Sequence, residues 1–421
     1  DDVFDTFGKP QKGAQDKDNS QYAPDDDIHS KRFIDISKLG GEDTFLNLRN
    51  ELYKFTFDST MHSVKVNLDD VNIVNIENDE TFHRTPKLAH NLDVILRRPG
   101  IYPIESLLPL QPDGGKFLKN IYQPDQIDFD RIPPYVPPSE DKLLLKFAKE
   151  SKIKYVMSTS TISNVLSHLY YLFSSFRSPY FGNISDAYAS EPKKYMISQR
   201  KPITNFLRKI DPEAGIYALD NDSGLFQYEN NILMQIGKVI ERSLTLPPEV
   251  FNQALLKDSP YDESQKINDD HHRFMKLNNE ICLRSQIDCY DINHETGEPF
   301  VFEIKTRSAC PIRYDLPNYQ DYLDYAITQY RGLHSSFERE YYDLIRGGFL
   351  KYSFQLKIGR MDGAFIAYHN TKEIAGFEYV KTTEIERRIF GTQLYADAVF
   401  VSCSKLLIIL LDNILNAVKD E

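Results

Sequence analysis

Apolar side chains recur at helical spacing through "STSTISNVLSHLYYLFSSF", where Ile162, Val165, Leu166, Leu169, Leu172 and Phe173 fall on one face and predict an amphipathic helix. "SEDKLLLKFAKES" opens on a capping signal and predicts an earlier helix. "YENNILMQIGKVIERSLTL" predicts another, its end set by Pro247. Between them "GIYALD" reads as a short strand. "ICLRSQIDCYDINHETGEPFVFEIKTRS" reads as strand, polar turn and strand, a hairpin with a longer loop. A long helical region is expected over residues 320–361, and "AFIAYHNTKEIAGFEYV" supplies two strands around a polar turn. Helices and strands in this order predict an α/β fold with a mixed central sheet flanked by helices.

Three segments follow from the same pattern. Residues 1–30 are acidic and nearly devoid of aliphatic side chains, so they read as a flexible acidic arm. Residues 31–138 mix strand-like alternation, as in "SVKVNLDDVNIVNI", with proline-rich breaks, and read as an N-terminal extension packing on the core. Residues 139–421 read as the main domain. Its most apolar run, "LLIILL" at 406–411, sits in a segment of about fourteen residues, short of the roughly twenty that span a bilayer, and is expected to be a buried C-terminal helix.

A formal charge of −12 argues against a surface that attracts polyanions as a whole, so a nucleic-acid partner needs a local basic groove or bound cations. The four cysteines form no C-x-x-C pair, which excludes the spacing of common structural zinc and iron–sulfur sites and fits reduced thiols.

The candidate chemistry centres on "VFEIKTRSA". Glu303, Lys305 and Arg307 share one strand face. On the preceding strand Arg284, Gln286, Asp288 and Tyr290 share a face, so a hairpin that aligns the two gathers Asp288, Glu303 and Lys305. Two adjacent carboxylates repel unless a cation lies between them. A hard divalent ion, Mg²⁺ or Mn²⁺, suits oxygen ligands of this kind. The rival reading is a plain Glu303–Lys305 ion pair on a half-exposed strand. Gly237, four residues before Glu241, lets one helix approach the sheet and makes Glu241 a third candidate ligand, with Glu229 as the competing acid. Gln355 has an amide able to bond a phosphate oxygen. Ser158 and Ser160 resemble N-cap residues at a helix terminus that can also hold an anion. Basic residues Arg331, Arg339, Arg346, Lys351, Lys357 and Arg360, interleaved with Tyr330, Tyr341, Tyr342 and Tyr352, form a candidate single-strand track.

"LRSQID" followed by "FVFEIKT", with the S-x-S helix, the G-x-x-x-E helix and the later glutamine helix, resembles the PD-(D/E)xK nuclease superfamily in its RecB and phage-lambda exonuclease branch. "STSTISNVLSHLYYLFS", "ILMQIGKVIERSLTLP", "EREYYDLIRGGFLKYSFQLKIGRMDGAFIAYHNT" and "TPKLAHNLDVILRRPGIYPI" resemble a fungal mitochondrial family of RNA-processing and turnover factors. The resemblance implies Asp288, Glu303 and the Ile304 carbonyl as metal ligands, Lys305 as the catalytic lysine, Glu241 as the helix acid and Gln355 as the motif glutamine. Two departures stand out. An acid replaces the histidine of many RecB-type members, and Gly359 stands where a tyrosine follows the glutamine.

The expected activity is Mg²⁺-dependent 5′-to-3′ exoribonuclease action in the mitochondrial matrix, with Arg284, Arg307, Arg331, Lys357 and Arg360 as further substrate contacts. Single-stranded RNA is the expected partner, and the resemblance adds mitochondrial RNA polymerase and peripheral inner-membrane association. The alternatives are a nuclease-fold scaffold that binds polymerase or RNA, and a DNA exonuclease, since a metal site reads phosphate and not sugar.

Overall fold

Eleven strands among the described residues divide between two mixed sheets. The first runs in the spatial order β1 (Ile73–Asn75), β6 (His272–Leu277), β7 (Ile281–Gln286), β3 (Tyr155–Ser158), β5 (Ile216–Asn221) and β4 (Asn205–Asp211). The second runs β2 (Ile101–Pro103), β11 (Ile374–Lys381), β10 (Gly363–His369), β9 (Pro299–Ser308) and β8 (Cys289–Ile292). The computed structural model describes residues 72–76, 85–111, 115–222, 232–260, 267, 271–293 and 296–419. All lie in the compact unit Leu68–Glu421. The arm expected over 1–30, residues 31–71 of the extension, and Glu229 lie outside the described residues.

The α/β class with mixed sheets is as the pattern predicts, but the expected hairpin is not one strand pair. β7 ends at Gln286 and stays in the first sheet, where it pairs antiparallel with β6 and parallel with β3. β8 begins at Cys289 and pairs antiparallel with β9 in the second sheet. The chain therefore changes sheets at Ile287 and Asp288. An unbroken alternation through "LRSQIDCYD" hides this break, because a sheet change leaves no proline or glycine behind.

Strand β9 carries the layering. Val301 belongs to one core with Ala364, Ile366 and Tyr368 of β10, which stand in register with Glu303, Lys305 and Arg307. Phe302 and Ile304, with Phe365 and Ala367, belong to a second. Helices of eight residues or more are α1 (Lys142–Ser151), α2 (Thr159–Phe173), α3 (Ile232–Thr245), α4 (Pro248–Leu255), α5 (Phe337–Arg346), α6 (Phe349–Gly359), α7 (Thr382–Phe390) and α8 (Gln393–Lys419). Helices α5, α6, α7 and α8 fill the first core through Tyr341, Leu344, Phe354, Ile389, Phe400 and Leu407, among others. Helix α3 fills the second through Ile236, Val239 and Ile240. The long helical region expected over 320–361 resolves into α5 and α6, preceded by a 3₁₀ segment and turns.

Two local features position the site. A Cβ at Gly237 would lie 3.3 Å from the Thr306 hydroxyl, so the glycine lets α3 lie close on β9, as its spacing suggested. Helix α8 is much longer than the expected fourteen residues. It is long and apolar enough to cross a membrane by length and composition, yet 61% of its apolar window is buried inside the fold. Burial of Phe400, Cys403, Leu407, Leu411 and Leu415 makes it a core helix in this structure.

Asp141, and not the serine two residues earlier, caps α1 by accepting from Leu144 N–H at 2.9 Å. Arg284 from β7 forms a buried ion pair with the same carboxylate and also donates to the Val136 carbonyl. Removing one partner of a buried pair leaves the other charge uncompensated. Arg284→Ala is thus expected to lower stability by about 3–5 kcal/mol in urea titration. An unchanged midpoint would show that Arg284 is not held this way.

Candidate active site

Asp288 lies where the chain passes between sheets, immediately before β8. Pairing of β8 with β9 ends at Cys289 opposite Phe302. Beyond that end the Asp288 carboxylate takes over as acceptor, with Oδ2 receiving the Ile304 N–H at 2.9 Å. Burial raises the pKa of Asp288 well above the ordinary carboxylate value, and the charges of Glu303 and then Glu241 raise it further. Lys305 and the Ile304 N–H oppose the rise.

Glu303 and Lys305 sit two positions apart on the β9 face that meets α6. Glu303 is only 9% exposed. The Lys305 ammonium forms an ion pair with Glu303 and lies 5.6 Å from the centroid of the Tyr352 ring. Burial works to lower the Lys305 pKa, but Glu303 and Asp288 outweigh it and hold the ammonium charged beyond its usual range. The plain ion pair expected as the rival reading is therefore present. It does not exhaust the site, because one lysine faces two buried acids.

Glu241 reaches this point from the other side. Its helix, α3, packs on the Phe302 and Ile304 face of β9, opposite to Glu303. The expected hairpin brings Asp288, Glu303 and Lys305 to one face, with Glu241 on a helix facing the sheet. The structure corrects this: Asp288 lies between strands, at the switch from β7 to β8, and the helix of Glu241 packs on the layer opposite Glu303. Gln355 lies on α6, three residues after Tyr352 and hence on the stripe that faces Lys305. It is 9% exposed, and its Oε1 atom is buried with no hydrogen-bond partner among the described residues.

The expected substrate contacts fare unevenly. Ser158 caps α2 by accepting from Thr161 N–H, and its hydroxyl also meets those of Tyr135 and Ser160. Both serines belong to the first sheet side, where Ser158 pairs in register with Arg284. Arg284 is committed to Asp141, so its assignment as a substrate contact is corrected. Lys357 is held by Glu386 at 2.8 Å and Asp397 at 2.6 Å, which ties α6 to α7 and α8 and corrects its assignment too. The basic track loses further members. Arg339 and Arg346 pair with the buried Asp343, and Tyr341 and Tyr342 are core residues. Arg331, Arg360 and Tyr330 are exposed, with Arg360 closing α6 in the left-handed conformation. Arg307 shares the face of Glu303 and Lys305. Its ion-pair partner is Glu340, 3.8 Å away, and among the described residues its Nε and Nη2 atoms are buried without a hydrogen-bond partner.

Among the described residues no three histidine, cysteine, aspartate or glutamate side chains form a ready metal cage. Mg²⁺ does not require one: it is normally held by one or two carboxylates, with water and substrate phosphate completing the shell. The donors here are oxygens, and the two nearest acids raise each other's energy, as the shift on Asp288 records. Asp288 and Glu303, with Glu241 beside them, fit a hard divalent ion on these grounds. In the sequence Lys351 and Tyr352 stand out only as members of the general basic track. The signal that could have assigned them to the site is their spacing of four and three residues from Gln355.

The chain matches the family model described as "Mitochondrial protein Pet127" over residues 135–412. It is 31% identical over 346 residues to the "mRNA degradation protein pet127, mitochondrial" of Schizosaccharomyces pombe, covering 82% of this chain and 64% of that protein. It is 37% identical over 263 residues to the "putative mitochondrial translation system component PET127" of Saccharomyces cerevisiae, covering 60% of this chain and 30% of that one. The chain thus spans under two thirds of the length of either relative. Among solved structures, S. pombe Rai1 aligns over 83% of this chain and 93% of its own, at 13% identity and a TM-score of 0.36. Candida albicans Rai1 in complex with pU5-Mn²⁺ aligns over 69% and 75%, at 13% identity and a TM-score of 0.30. The family match covers more than half of the sequence and includes every candidate site residue, and on that ground the chain belongs to the Pet127 family of mitochondrial proteins.

Proposed function

We propose that this chain is a divalent-metal-dependent nuclease that processes and degrades mitochondrial RNA from the 5′ end. The observation that carries the proposal is the buried Asp288 carboxylate, fixed by Ile304 N–H between Glu303 and Glu241, with the Lys305 ammonium alongside. A fold gains no stability from assembling like charges out of water, so such a cluster has to be explained by what it binds. The name of the S. pombe relative, a mitochondrial mRNA degradation protein, supports RNA as substrate and the mitochondrion as compartment.

Asp288, Glu303, the Ile304 carbonyl and Glu241 are the residues that would hold Mg²⁺ or Mn²⁺. The ion, when bound, supplies a Lewis acid that stabilises charge on the scissile phosphate and the leaving oxygen. The protein groups do the positioning. The Ile304 N–H locks the Asp288 carboxylate in one orientation. Lys305, fully charged, orients an attacking water and offers its ammonium to a non-bridging phosphate oxygen. Attack forms a P–O bond to the water oxygen and breaks the P–O3′ bond; the water gives up a proton, the leaving O3′ takes one up to become a hydroxyl, and the remaining strand carries a 5′-phosphate. The Gln355 amide, close to Tyr352 on the α6 stripe, is placed to hold the water or a phosphate oxygen. A second reading, a scaffold that binds RNA or mitochondrial RNA polymerase without cutting, draws on the existing Glu303–Lys305 pair, which would have to open for Glu303 to take a metal. Peripheral attachment to the inner membrane belongs to the same proposal, with exposed Leu410, Ile414 and Val418 on α8 as its support.

Asp288→Asn and Lys305→Ala are expected to cut kcat/KM on 5′-phosphorylated RNA by a factor on the order of 100 or more in the presence of Mn²⁺. Degradation at the rate of the unaltered protein would remove the assignment, and the same assay with DNA decides between the sugars. A stability measurement adds an independent check. Because the folded pKa of Asp288 is raised, metal-free protein holds a proton there that the unfolded chain releases. Its stability should therefore fall as pH climbs from the ordinary carboxylate value of about 4 through the raised folded value. Asn at 288 keeps the acceptor for Ile304 N–H and has no charge to bury. In EDTA, Asp288→Asn should melt above the unaltered protein by a margin that widens with pH, and a constant or reversed margin would count against the buried acid.

A further inference from the structure

Lys351 lies one residue from Tyr352, whose ring meets Lys305, and four residues from Gln355 on the same stripe of α6. It is half-buried, and its ammonium makes no ion pair or hydrogen bond among the described residues. The neighbouring groups on the strand face are Glu303, Lys305 and Arg307, and Glu303 is already bound by Lys305. Burial, followed by the charge of Lys305, pushes the Lys351 pKa down to about 8, against the pull of Glu303. Two further polar groups lack hydrogen-bond partners among the described residues: Gln355 Oε1, one turn along α6, and the Nε and Nη2 atoms of Arg307, on the strand face of Lys305. An unpaired ammonium held next to another is unfavourable unless an anion completes it, and Glu303, the acid on this face, is taken by Lys305.

We propose that Lys351 is a substrate-binding residue that holds a phosphate of the nucleic-acid strand beside the one contacted by Lys305. The inference rests on the nuclease reading of the same site and adds a residue and a ligand to it. The acids then occupy one side of the strand backbone and the cations Lys351 and Lys305 the other. The phosphate has two sources, a terminal 5′-phosphate or an internal phosphodiester. If the terminal group is the ligand, Lys351 also selects for a phosphorylated 5′ end and sets where digestion begins.

The experiment measures binding and not turnover, so it stands apart from whether the protein cuts. A fluorescent twelve-nucleotide RNA, with either a 5′-phosphate or a 5′-hydroxyl, is titrated with the full chain in EDTA across a series of salt concentrations, strand integrity being verified by gel. Lys351→Ala is expected to weaken binding about tenfold and to reduce the slope of log affinity against log salt by about one contact. Lys351→Arg should restore most of both. Loss confined to the 5′-phosphate strand identifies the terminal group, and equal loss on both strands identifies an internal phosphate. Unaltered affinity and slope in Lys351→Ala, or no RNA binding by the unaltered chain, would overturn the proposal. Tight, Lys351-dependent binding without any cleavage under Mn²⁺ would keep it and remove the nuclease reading instead.

Discussion

Like charge buried at a strand end is the constraint on which the rest of this structure turns. Asp288 is a carboxylate out of water with two other acids acting on it and one lysine near enough to offset them. An isolated ionised carboxylate in such a place costs several kcal/mol even after relaxation. The raised pKa relieves this cost in the metal-free protein by favouring the neutral form. The chain must leave the first sheet after Gln286 and enter the second at Cys289, and the Ile304 N–H beyond the end of the β8 ladder needs an acceptor.

The layers on either side serve this arrangement. Helix α3 approaches through Gly237 and brings Glu241 from below the sheet, while α6 covers the opposite face with Lys351, Tyr352 and Gln355. Further along the same strand face a denser network fixes the backbone. Glu340 and Asp343, both fully buried on α5, are bound by Arg313, and Asp343 also pairs with Arg339 and Arg346. Burying these charges together is tolerable because each acid has at least one guanidinium, the condition that Asp288 fails to meet. The contrast separates a structural ion network from the acid cluster proposed to take a metal.

Much of this was legible in the chain. The alternation of "FVFEIKT" fixed which residues share a face, Gly237 announced a close helix, and Pro247 ended it where expected. What escaped did so for identifiable reasons. A strand that switches sheets keeps its alternation, so the break at Asp288 has no local signature. The side of the sheet on which a helix lands depends on tertiary packing, so Glu241 could be placed near the acids but not on the correct layer. Arginines and tyrosines at helical spacing look alike whether they line a groove or pair with buried acids. Arg339 is a case of this, held by Asp343 one turn along the same helix, while Arg284 on β7 and Lys357 on α6 are held by Asp141 and Glu386, acids remote in sequence. The capping aspartate of α1 was missed because Ser139 offers the same signal two positions earlier.

The most direct measurement is a calorimetric titration of Mn²⁺ into nucleic-acid-free protein near neutral pH, repeated in two buffers of different ionisation enthalpy. Saturable uptake is expected, with proton release that grows as the pH is lowered, since an ion at Asp288 competes with the proton that its raised pKa favours. Uptake that vanishes in Asp288→Asn would tie the heat to this carboxylate. No saturable heat in the unaltered chain, or uptake indifferent to that substitution, would contradict a metal site at the strand switch.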